Sequence, residues 1–152
     1  MKPLIVLLST FTLVILTIKL FTKEYNFSLA ARIALAVMLC FTALGHFLFT
    51  KGMTMMIPPM IPFKTSLVYL TGVFEVLLAV GVLIPKTQKL SGWLLIFFLL
   101  LMLPANIYAA VNQINYQKGT YDGNGISYLW FRIPLQILFI LWTFLCSIKI
   151  YK

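Results

Sequence analysis

Residues 65–85 read TSLVYLTGVFEVLLAVGVLIP, and within them Gly72-Val73-Phe74-Glu75-Val76-Leu77-Leu78 sets one carboxylate near the middle of a predominantly apolar run. A run of roughly twenty residues, rising about 1.5 Å each as an α-helix, crosses the roughly 30 Å hydrocarbon core of a bilayer. Every backbone N–H and C=O in lipid needs an internal partner, so the run must be helical. A carboxylate at that depth is costly, which makes Glu75 a candidate functional residue.

The same arithmetic gives four further spans, Pro3–Phe21, Ser28–Thr50, Leu90–Val111 and Ser127–Ile148, beside Thr65–Pro85. None shows the alternation of a membrane β-barrel, so the fold class is all-α and the protein an integral membrane one. Of 152 residues, 62% are hydrophobic and 10% charged, with a mean hydropathy of +1.02, values that do not fit a water-soluble core. The formal net charge is +9, yet the twelve Lys and Arg stand singly between apolar runs. They form no basic stripe for a phosphate backbone, which argues against nucleic acid. They read as anchors meeting anionic headgroups of the lipid bilayer. Cys40 and Cys146 lie in different runs without CxxC spacing, so no redox motif, zinc site or disulfide scaffold is expected, only buried, inert thiols.

The chain divides into residues 1–27, an N-terminal transmembrane helix with a short loop, and residues 28–152, a four-helix antiparallel bundle. Lys2 before an apolar stretch, with Ser28-Leu29-Ala30 beyond it, also describes a signal peptide. Lys19, Lys23 and Glu24 between the two argue against cleavage and for an additional helix. Five crossings put Lys2, Lys51, Lys64 and Lys118 on one side, and Lys19, Lys23, Arg32, Lys86, Lys89, Lys149 and Lys152 on the other. The positive-inside rule then predicts a multi-pass protein of the inner membrane, with its N-terminus outside and its C-terminus cytoplasmic.

Lys86-Thr87-Gln88-Lys89 is a four-residue turn that makes its flanking helices antiparallel neighbours. Gly52–Phe63, GMTMMIPPMIPF, is uncharged and holds Pro58, Pro59 and Pro62, which cannot continue a helix. It is expected to be non-helical and to lie in the interface, either as a plain connector or folded back over the bundle. In Asn112–Ile126, Tyr121-Asp122-Gly123-Asn124-Gly125 reads as tight turns; a single carboxylate without EF-hand spacing makes no calcium loop.

Few polar residues lie inside the spans. His46, Asn106 and Arg132 fall roughly 6 to 8 Å below the outer boundary and Glu75 roughly 15 Å. Residues three or four apart share a helical face, so Thr71, Gly72, Glu75 and Ala79 form one stripe and Tyr128, Arg132, Gln136 and Thr143 another. A guanidinium offers a carboxylate a two-pronged hydrogen bond, so a Glu75–Arg132 interaction is expected, direct or through water, with His46, Asn106 and Gln136 satisfying the remaining groups. Pro104 and Pro134 free the carbonyls of Leu100 and Trp130 in the same layer, which either opens a cavity or is an ordinary bend. The plain alternative for the charges is a structural pair that fixes helix register. His46 is the only histidine, which excludes bis-histidine haem ligation and multi-histidine metal centres, so no metal is expected.

Several of these motifs recur in a known order. Gly45-His46-Phe47 closes the second run, and Ile57-Pro58-Pro59 with Ile61-Pro62 follows in the loop. Thr71-Gly72 and Phe74-Glu75 lie in the third, Leu103-Pro104-Ala105-Asn106-Ile107 ends the fourth, and Phe131-Arg132-Ile133-Pro134-Leu135-Gln136 opens the fifth. From about Ala30 to Trp142 the chain resembles the DoxX-like family of small integral membrane proteins. The resemblance implies a four-helix membrane bundle with both ends cytoplasmic, to which the first run is an addition. Relatives include a quinone-reducing subunit of a thiosulfate oxidoreductase, proteins with redox or detoxifying partners, and assembly helpers. No haem, flavin or nucleotide signature accompanies the resemblance here, and no stand-alone catalytic motif or assignable catalytic residue is present.

The leading expectation is a redox-associated subunit, at most the membrane part of an oxidoreductase. An outer-leaflet polar pocket would bind a quinone or other small amphipathic ligand through His46, Glu75, Asn106, Arg132 and Gln136. Thr71, Gly72, Pro58, Pro59, Pro104, Pro134 and Tyr128 would line it, and electrons would come from a redox partner protein. The alternatives are a non-catalytic scaffold or assembly factor, and a small-solute or proton carrier, against which stands the lack of an inverted repeat.

Overall fold

A computed structural model describes residues 2–149. Six α-helices follow in order: α1 Lys2–Thr22, α2 Phe27–Leu48, α3 Thr50–Met55, α4 Lys64–Leu83, α5 Gln88–Val111 and α6 Ser127–Thr143, which runs on into a π-helical segment, Phe144–Ile148. Among the described residues no strand forms; one isolated bridge joins Asn115 to Thr120. Five helical stretches are long and apolar enough to span a membrane: α1, α2, α4, α5, and α6 with its π-helical end. Each lies within two residues of its expected limits, because length and hydropathy set them.

Local chemistry explains the helix ends. Asn26 caps α2, its side chain accepting from the Leu29 N–H at 3.0 Å. Between α4 and α5 the Thr87 hydroxyl donates to the Gly81 carbonyl at 2.9 Å, while the Thr87 and Gln88 N–H groups return to the Ile84 carbonyl at 3.1 and 2.9 Å. The turn is as short as expected, and α4 and α5 pack together.

Gly52–Phe63 departs from expectation, because its first four residues are helical as the end of α3. The three prolines stop a helix only from Met56 onward, since proline forbids what lies N-terminal to it within a turn, not the whole segment. Phe63, at φ 54° before α4, makes the reversal, and Lys64 Nζ donates to the Ile57 carbonyl at 2.9 Å.

The tightest pairing is α2 on α4, followed by α1 on α2; α5 lies against α4 and against α6 with its π-helical end. A core of Leu35, Leu39, Leu78, Val82, Leu95, Phe98 and Phe139 runs between them. Helix α1 joins that core: Leu7 is fully buried, and Phe11 meets Trp142 edge-on at 5.2 Å between ring centroids. The outward faces are apolar, with Leu13 66%, Leu77 62% and Phe97 65% exposed, which is compatible with a lipid-facing surface. Cys146 is buried but Cys40 is exposed; the burial expected for both fails at Cys40, which lies on the outward side of α2.

Candidate functional site

Residues of α2 and α4 carry the site. Gly72 lets the two helices touch: a Cβ there would lie 2.8 Å from His46 Cβ. This approach sets the imidazole against α4 one turn before Glu75. His46 Nδ1 donates to the Val68 carbonyl at 3.1 Å, and the Thr71 hydroxyl lies 3.0 Å from the same nitrogen while donating to the Leu67 and Val68 carbonyls at 3.0 and 2.9 Å. A carbonyl only accepts, so Nδ1 carries the proton and Nε2 is turned to Glu75.

His46 Nε2 and Glu75 Oε2 are 3.7 Å apart. That distance permits electrostatic attraction but exceeds a hydrogen bond, and Glu75 Oε2, buried, has no hydrogen-bond partner. An acid and a base thus face each other in a nearly water-free place, with Thr42 beside the carboxyl group and Arg132 within Coulomb reach. Thr42 was not singled out from the sequence. Its position four residues before His46 on α2 is the signal that places it on the same face.

The direct Glu75–Arg132 pair does not form. No ion pair within 4 Å joins them among the described residues, and Arg132 is only half-buried. Near the start of α6 its long side chain has room to remain at the helix surface, so burial does not force it onto the acid. His46 takes that place because α2, not α6, is the close neighbour of α4.

Among the described residues, the other expected ones make no hydrogen bond to this pair. Gln136, buried on α6, donates to the Leu99 carbonyl of α5, linking those helices rather than reaching Glu75. Asn106 is 4% exposed on α5 with no side-chain hydrogen bond to the His46–Glu75 pair. Helices α5 and α6 continue through Pro104 and Pro134; both prolines are exposed, as is Pro59, with Pro58 half-buried. Tyr128 lines a different cavity, beside the 112–126 loop. In that loop Asp122 lies near Lys118, 3.6 Å away, and the hydroxyl of Thr120, with Lys118 adding, holds its carboxyl below the usual range.

A second buried polar group lies at the opposite end of the helices. Gln88 donates to the Cys146 and Ser147 carbonyls at 3.4 and 3.1 Å and accepts from Arg32. Trp142 Nε1 donates to the Ala31 carbonyl at 3.1 Å. The two Gln88 bonds satisfy carbonyls of the π-helical turn, and the Trp142 bond ties α6 to α2, a structural role for both. Among the described residues no group of three His, Cys, Asp or Glu could hold a metal.

No curated protein and no solved structure matches the chain. The family described as domain of unknown function DUF8561 matches residues 35–147, about three quarters of the sequence, from the middle of α2 through the His46–Glu75 pair to the π-helical turn; the chain belongs to the DUF8561 family.

Proposed function

We propose that this protein is a redox-associated membrane subunit whose His46–Glu75 pair binds the oxygen end of a quinone-like or other small amphipathic molecule from the outer leaflet. The observation that carries the reading is the buried, unpartnered Glu75 Oε2 held 3.7 Å from His46 Nε2. An oxygen bridging these two atoms can lie about 2.8 Å from each. A hydroxyl there donates to one and accepts from the other. With Nδ1 protonated against Val68, a proton moves between Nε2, that oxygen and the carboxyl group without rearrangement of the backbone. On this reading a partner protein supplies the electrons.

The family match omits α1, which fits a DoxX-like four-helix core with one added helix. The seven-to-four distribution of basic residues favours insertion in the inner membrane with the N-terminus outside and the C-terminus cytoplasmic. A second reading, an assembly factor for a partner membrane protein, is favoured by one feature. Leu129, Trp130, Ile133 and Pro134 frame an apolar hollow of about 300 Å³ on the lipid-facing side of α6, where Trp130 is 84% exposed.

Thermal melting of the detergent-purified protein with decylubiquinone separates them. At a hundredfold excess over the dissociation constant a ligand stabilises by about 2.7 kcal/mol. The expected result is a rise in melting temperature for wild type that vanishes in Glu75→Gln and His46→Gln. An equal rise in all three sinks the site, and no rise together with a co-purifying stoichiometric partner supports the assembly reading.

A further inference from the structure

A cavity of about 390 Å³ lies at the end of the helices where α1 and α6 begin and α5 stops, within the roughly 300–1,000 Å³ of small-ligand sites. Lys2, Asn115, Asn124 and Tyr128 form part of its polar wall. Its apolar side is Met56, Ala109, Ala110 and Ile114.

Three observations define the chemistry it suits. Among the described residues, Lys2 is the only charged one lining it. The one acid of the adjoining loop, Asp122, is not in the lining and is engaged with Lys118 and Thr120. The remaining wall includes hydrogen-bond donors: Asn115 already spends its Oδ1 on the N–H groups of Gln117 and Lys118, which leaves its amide N–H₂ without a partner in the protein, and the Asn124 amide and Tyr128 hydroxyl, each able to donate, line the cavity and make no hydrogen bond within the protein among the described residues. A cation would find no carboxylate here, whereas an anion with several acceptor oxygens would find an ammonium and neutral donors together.

We propose that this cavity is a binding site for a phosphate ester, with Lys2 as its charged contact and Asn115, Asn124 and Tyr128 as hydrogen-bond donors. The apolar side and the position at the ends of membrane-spanning helices favour a phospholipid headgroup, with the glycerol and first acyl carbons against Ala109, Ala110 and Met56. The site is separate from the His46–Glu75 pair and does not depend on how that pair functions.

The test uses the full chain in dodecyl maltoside, with melting temperature followed against added dioleoylphosphatidylglycerol, dioleoylglycerol or glycerol 3-phosphate. Phosphatidylglycerol is expected to raise the melting temperature and dioleoylglycerol, which lacks the phosphate, is not. The concentration needed should rise about tenfold in Lys2→Gln and again in Asn124→Asp, which adds a charge of the wrong sign. Lys51→Gln, an exposed lysine at the same end, and Glu75→Gln should leave the response unchanged. A response to glycerol 3-phosphate equal to that of the lipid keeps the phosphate site and makes its ligand soluble. If both glycerolipids act alike, if neither phosphate compound acts, or if Lys51→Gln weakens the response as much as Lys2→Gln, the proposal is overturned.

Discussion

At the scale of single residues, the chemistry rests on how little space separates α2 from α4. Gly72→Ala drives a methyl group into His46, 2.8 Å from its Cβ. Overpacking of that kind costs about 1–3 kcal/mol, and the gain in helix propensity returns about 0.5–1, so we expect a net loss of about 1 kcal/mol together with a displaced imidazole. Melting of the variant and the His46 ring signals in NMR would check it; unchanged ring signals would contradict the close-approach argument. His46 and Glu75 act on one proton, so their effects should not add. His46→Gln, Glu75→Gln and the double variant are expected to lose the same quinone response, and a double variant clearly worse than either single one would show that the two work independently. Both residues were legible in the sequence, because a carboxylate and the only histidine inside apolar runs stand out without any structure. Which partner Glu75 would take was not legible: helical spacing places residues on faces but does not say which faces meet.

Between elements, polar contacts lock the ends of the helices. Gln88 joins α5 to the π-helical end of α6 and to Arg32 of α2. Gln88→Ala takes the side-chain donor from the Ser147 carbonyl, while the Cys146 carbonyl keeps the Ser28 hydroxyl at 3.4 Å and Arg32 keeps the Ser28 carbonyl at 3.3 Å; one buried group left unsatisfied costs about 1–3 kcal/mol. We expect a loss of about 2 kcal/mol, measured by thermal or denaturant unfolding in detergent; a loss below about 0.5 would mean that water replaces the amide. At the other end Gly52 of α3 lies under the 112–126 loop, and a Cβ on it would fall 1.8 Å from the Tyr116 carbonyl oxygen. Backbone cannot yield as a side chain does, so Gly52→Ala is expected to lift the loop from α3 and expose it to protease, with cleavage inside 112–126 faster than in wild type. Hydropathy announced five long helices. It was silent on α3, since a six-residue helix is too short for periodicity to register, and on the π-helical turn, which follows from packing and from the Gln88 bonds.

For the whole molecule the open quantity is direction across the bilayer. In a Cys40→Ser, Cys146→Ser background, single cysteines at 118 and 86 distinguish the two orientations. With the N-terminus outside, Lys118→Cys reacts with an impermeant maleimide on intact cells and Lys86→Cys only after permeabilisation; the reverse pattern would overturn the topology and move the His46–Glu75 pair to the inner leaflet. Helix α1 is held by contacts such as Leu7 in the core and Phe11 on Trp142. In lipid, packing and not exclusion from water drives such association.

The sequence by itself determined five helices long and apolar enough to span a membrane, their limits to within two residues, and a set of polar residues inside them, His46, Glu75, Asn106, Arg132 and Gln136, without saying which would meet. These follow from local quantities: length, hydropathy and the cost of burying charge. The tertiary structure alone decided that His46 and not Arg132 comes within 4 Å of Glu75, that Gln136 bonds the Leu99 carbonyl, and that the 112–126 loop closes a cavity with Lys2. In a bilayer nearly every outward face is equally apolar, so hydropathy carries no record of which helix lies beside which; small residues such as Gly72 and the few internal hydrogen bonds settle it.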